Sequence, residues 1–150
     1  MYKNSFVHYF TKVLVDIMFY GGILSCVALP FLMPALSDLF GYSRSTTTPF
    51  TAIVLVSGLC ALFLLWQLKA IFKTLLGGNP FVDKNVDCLR KSSVASFLIA
   101  MVYIVKSIFW FTIASTVFAI VFALLGLFCL TLKDIFKQAI AFKEENDWTV

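Results

Sequence analysis

Between residues 92 and 132 the sequence carries a single charge, Lys106, and no strong turn dipeptide. Drawn as one helix, this stretch would be about 60 Å long at 1.5 Å per residue. A bilayer's hydrocarbon core is only about 30 Å thick. The stretch must therefore fold back on itself, and the turn is expected between Lys106 and Thr116, where Phe109, Trp110 and Phe111 supply interfacial aromatics. Lys106 can reach the outer surface by snorkelling if the turn follows it closely.

Two further apolar runs precede this one, at about 13–36 and 50–68. Composition agrees: 61% of residues are hydrophobic and 13% charged, against roughly 45–50% and 25% in soluble domains. The expected fold class is all-α, an integral membrane four-helix bundle with cytoplasmic helical extensions. It forms one domain over 1–150, with spans at about 13–36, 50–68, 92–110 and 113–132 and a cytoplasmic hairpin over about 69–91. The run after Lys12 is longer than the core of a secretory signal peptide and reads as a retained span.

Near the far end of the first span, Pro30 and Pro34 are expected to kink or end the helix. Residues 37–49, rich in Ser and Thr with Gly41 and Pro49, read as a loop. Ser5 is placed to cap the first helix, behind Lys3. Beyond Trp66 the second helix continues as an amphipathic extension, with Lys69 and Lys73 alternating with Ile71, Phe72, Leu75 and Leu76, until Gly77 and Gly78 stop it. Asn79 then suits a helix cap and Pro80 the first helical position.

Small residues recur every fourth position in the last two spans: Ser92, Ser96 and Ala100 on one, Ser115, Ala119 and Ala123 on the other. Such faces allow close helix approach in lipid.

Ten of the twelve Lys and Arg residues fall in the N-terminal segment, the middle connection and the C-terminal tail; Arg44 and Lys106 are the exceptions. The positive-inside rule then puts both termini and the middle hairpin in the cytoplasm. The net charge of +4 is therefore a topology signal, and direct nucleic-acid binding is not expected.

No paired carboxylates, Ser/His/Asp set or His-Glu-x-x-His motif occurs, so the chain reads as a non-enzyme, with no cofactor and no metal. Cys26, Cys60, Cys88 and Cys129 lack zinc-ligand or redox spacing and read as reduced apolar side chains. His8 has no second His and reads as a surface residue. Two polar residues stand inside or beside spans. Asp16 is expected to form a structural ion pair with Lys12, Lys69 or Lys133; Asp16 and Lys106 together are the features that would favour a small transporter, channel or toxin-immunity protein.

The cytoplasmic helix ends carry apolar faces that bury one another or leave a groove for a partner. The basic residues around them suit a partner or anionic lipid heads.

The motif Gly78-Asn79-Pro80-Phe81 with Asn85, Leu89 and Arg90, then Ile135-Phe136-Lys137-Gln138 and the ending Glu144-Glu145-Asn146-Asp147-Trp148-Thr149-Val150, resembles the domain-of-unknown-function 2975 family of small four-span bacterial membrane proteins. The resemblance implies a plasma-membrane location and brings no established activity. Genes of that family often lie beside one for a small helix-turn-helix regulator, which implies a membrane protein that controls such a regulator. Asn79, Pro80, Phe81, Lys84, Asn85, Leu89, Arg90 and Phe136 are then the candidates for the docking surface. The expected partners are the lipid bilayer, a cytosolic transcription regulator and a further copy of the chain.

Overall fold

The computed structural model describes residues 6–41 and 43–148. They form four helices and no strands: α1 (Phe6–Phe40), α2 (Arg44–Leu76), α3 (Asp83–Phe109) and α4 (Ile113–Trp148). All four are long and apolar enough to cross a membrane. The fold-back required by the length of the 92–132 run falls at Trp110, Phe111 and Thr112, within the expected interval. Ser5 and Lys3 lie outside the described residues.

Each helix packs antiparallel on its sequence neighbour. Asp16 meets Lys69, and Cys26 lies against Gly58, across α1 and α2. Thr74 meets Asn85, and Ser57 meets Tyr103, across α2 and α3. Across α3 and α4, Ser107 meets Thr116, Tyr103 stacks on Phe118, and Phe97 lies on Gly126. Among the described residues only consecutive helices approach closely at the backbone, and α3 with α4 does so most extensively. The bundle is thus a series in which α2 and α3 are the inner members.

The core lies along α3. Asn85, Ser96 and Ile99 are fully buried there, with Ser92, Ser93, Ala95 and Ala100 nearly so, and Ser115 and Ala119 face them from α4. The expected small faces are therefore where the helices close, except that Ala123 is only half-buried. Buried serines in α3 avoid unpaired hydroxyls by bonding back along the helix, Ser92 to the Cys88 carbonyl and Ser96 to the Ser92 carbonyl, both at 2.9 Å.

Three local expectations need correction. Residues 37–49 are mostly helical, with α1 continuing to Phe40 and α2 starting at Arg44. Hydroxyls there are satisfied within the helix by the same back-bonding: Ser37 donates to the Pro34 carbonyl at 2.8 Å and Thr47 to the Ser43 carbonyl at 3.0 Å. Gly41, at φ 70°, makes the reversal. Second, of the two outcomes expected at Pro30 and Pro34, kinking or ending, the ending does not occur: α1 runs through both to Phe40, which transmembrane helices tolerate because neighbouring groups re-satisfy freed carbonyls. Third, α3 begins at Asp83 with Val82 as its cap residue, so Asn79 neither caps it nor places Pro80 in its first turn. Gly77 and Gly78 do stop α2, and Gly78 takes φ 81°.

Candidate functional site

The turn over 77–82 is held from within by one side chain. Asn85 is fully buried, and its Nδ2 donates to the Pro80 carbonyl at 2.6 Å and to Thr74 Oγ1 at 2.7 Å. The Thr74 hydroxyl donates in turn to the Ile71 carbonyl at 2.8 Å. One amide thus ties the last turn of α2, the connecting turn and the first turn of α3. This explains why α3 starts late: the Pro80 carbonyl accepts from Asn85 and from the Val82 N–H at 3.2 Å, and the chain stays non-helical until Asp83.

The connection also reaches α4. The Phe81 and Phe136 rings lie 5.3 Å apart at 53°, a tilted pair of the kind aromatic quadrupoles favour. Lys143 Nζ donates to Asn79 Oδ1 at 3.4 Å. So the motif residues near 80 and those near 136, far apart in sequence, form one patch.

The structure separates the candidates into two groups. Asn85 and Leu89 are buried, and Pro80 and Phe136 are half-buried. Asn79, Phe81, Lys84 and Arg90 are exposed on the same end. Thr74 and Lys143 join the patch without having been singled out in the sequence. Their signal was weak because each is an ordinary helix-end residue until its partner is known.

Farther along α4, Gln138, Phe142, Glu144 and Trp148 border a shallow depression beside this patch. Trp148 is 90% exposed, so an apolar indole stands in the open at the end of α4.

The two intramembrane candidates have separate partners. Asp16 Oδ1 lies 2.8 Å from Lys69 Nζ, and the same ammonium stands 5.0 Å from the ring centroids of Phe19 and Tyr20. Of the three lysines expected for Asp16, Lys69 is the one it meets. Lys106 lies at the other end of the molecule, donating to Ser115 Oγ and, at 3.3 Å, to Thr112 Oγ1. Among the described residues, no three His, Cys, Asp or Glu side chains are grouped to hold a metal ion.

Four apolar antiparallel helices, with cations and a structured turn gathered at one end, define a polytopic helical membrane protein. The sequence profile of the DUF2975 family, proteins of unknown function, matches residues 32–150. The chain belongs to that family. No curated protein and no solved structure matches the chain.

Proposed function

We propose that the protein is a non-enzymatic regulator of the bacterial plasma membrane that binds a cytosolic partner at the end carrying the 77–82 turn. In this reading both termini and that turn face the cytoplasm, because the cations of α1, α2, α3 and α4 other than Lys106 and Arg44 gather toward it. The partner class is a small helix-turn-helix transcription regulator, as the family resemblance implies.

The observation that carries the reading is an exposed set, Asn79 and Phe81 on the turn that Asn85 ties down and Lys84 and Arg90 on the adjoining start of α3. A pre-ordered surface loses less entropy when a partner docks. The ion pair of Asp16 with Lys69 supports a structural role for both, and so favours a binding module over a transporter, channel or immunity protein.

The test is in-membrane photocrosslinking from position 84, with position 43 at the opposite end as control. Capture of one DNA-binding protein from position 84 alone, lost when Phe81 is replaced by Glu, is the expected result. Capture of lipid or a second copy only would remove the reading. A collapse of transport activity in Asp16→Asn and Lys106→Gln, with no capture, would move it to the transporter class.

A further inference from the structure

At the end opposite the 77–82 turn, α1, α2, α3 and the α3–α4 turn border a half-open cavity of about 590 Å³, within the roughly 300–1,000 Å³ of small-molecule sites. Its construction follows from the serial packing. α2 touches both α1 and α3, whereas α1 and α3 do not approach each other, so α2 forms a floor between two walls. Met33 and Phe40 line it from α1, Phe50 and Ile53 from α2, Lys106 from α3 and Trp110 from the turn after it.

The lining is apolar except for small hydroxyls and one ammonium. Lys106 is held at the site by neutral oxygens, those of Ser115 and Thr112. It forms no ion pair with a carboxylate among the described residues, unlike Lys69 and Lys133. A lysine one turn before the 110–112 turn can snorkel to the surface, but the Lys106 ammonium is directed instead to Ser115 and Thr112 and lines the cavity. Here a positioned cation and an apolar cavity occur together, and each lacks the complement that the other's ligand would bring.

We propose that this cavity binds an anionic amphiphile, its carboxylate or phosphate head on Lys106 and the first part of its hydrocarbon chain against Met33, Phe50 and Ile53. The site is independent of the docking surface at the other end, and its test reads nothing from that surface. Trp110, on the rim beside the α3–α4 turn, has the amphipathic ring suited to the headgroup level.

The experiment uses the full chain in phosphatidylcholine nanodiscs and a diazirine-bearing palmitic acid as probe. Irradiation is expected to label peptides containing 33–40 and 47–53. Loss of the charge in Lys106→Gln should lower labelling at least about tenfold, the scale of a charge-assisted bond, while Lys106→Arg retains most of it. Ile53→Trp, which fills the cavity and leaves the charge, should abolish it. The probe's methyl ester should not compete.

Equal labelling in wild type and Lys106→Gln would overturn the proposal, as would labelling spread evenly over all four helices, the pattern of a chain merely dissolved in the bilayer. Exchanging phosphatidylcholine for phosphatidylglycerol identifies the source of the head. Suppressed labelling assigns the site to a net-anionic phospholipid headgroup, and unchanged labelling assigns it to a free acid.

Discussion

The α1–α2 pair and the α3–α4 pair are both antiparallel, both apolar and of similar length, yet they are held together differently. Only 6% of the most apolar stretch of α1, and of α2, is buried against protein, compared with 33% in α3 and 22% in α4. Small side chains explain the difference. Ser92, Ser96, Ala100, Ser115, Ala119 and Gly126 let the α3 and α4 backbones approach, and Gly126 receives the Phe97 ring. In α1 the large residues Leu24, Val27, Phe31 and Leu32 are exposed, and lipid is as good a neighbour for them as another helix. Hydrophobicity therefore inserts all four helices, but shape decides which pair closes. The looser pair is also where the cavity forms, since α1 stands off α3.

The sharpest way to break this comparison is at Asn85. Asn85→Leu removes two hydrogen bonds, while the Pro80 carbonyl keeps the Val82 N–H and the Thr74 hydroxyl keeps the Ile71 carbonyl, so the cost is about 1–3 kcal/mol. The midpoint of unfolding in mixed micelles should drop, and exposure of a cysteine at position 81 should rise. An unchanged midpoint would mean that α3 is anchored by its apolar contacts alone.

An effect no larger is expected from Gly126→Val. A Cβ there would lie 3.0 Å from the Phe97 ring, and overpacking of this kind costs about 1–3 kcal/mol. Gly21→Val in α1 meets nothing within 4 Å and should change stability by no more than about 0.5 kcal/mol. Equal effects in the same unfolding assay would mean that the Phe97 ring yields to the added side chain.

The smallest effect belongs to Asp16→Asn. It breaks the Lys69 ion pair but leaves the lysine its aromatic neighbours. Disulfide crosslinking of Gly22→Cys to Leu62→Cys, positions that face each other across α1 and α2, should become less efficient. Crosslinking between α3 and α4 should not change.

Much of the architecture was legible because it is written in local pattern. The uncharged length of 92–132 required the fold-back, and the fourfold spacing of Ser and Ala marked the closing faces. Gly77 and Gly78 marked the end of α2. Local pattern misled where a distant or helical partner altered the balance: Asn79 and Pro80 have the chemistry of a helix start, but Asn85 engages the Pro80 carbonyl and delays α3 to Asp83. The Ser and Thr residues around 43–51 read as loop because they are polar, whereas their hydroxyls bond back to helix carbonyls. Of the candidate patch, the sequence showed the residue types but not that Phe81 meets Phe136 or that Lys143 reaches Asn79.

By itself, then, the sequence determined the number of helices, their reversals and the gathering of cations at one end, because helix length and transfer from water to lipid depend on residues close together in the chain. Only the tertiary structure decided that the helices pack in series, that Asn85 is a buried clamp while Arg90 is free, and that Lys106 stands at an apolar cavity. The serial packing depends on which small faces meet across long separations, and the Asn85 and Lys106 contacts, though short in sequence, depend on side-chain directions fixed only once the helices have packed.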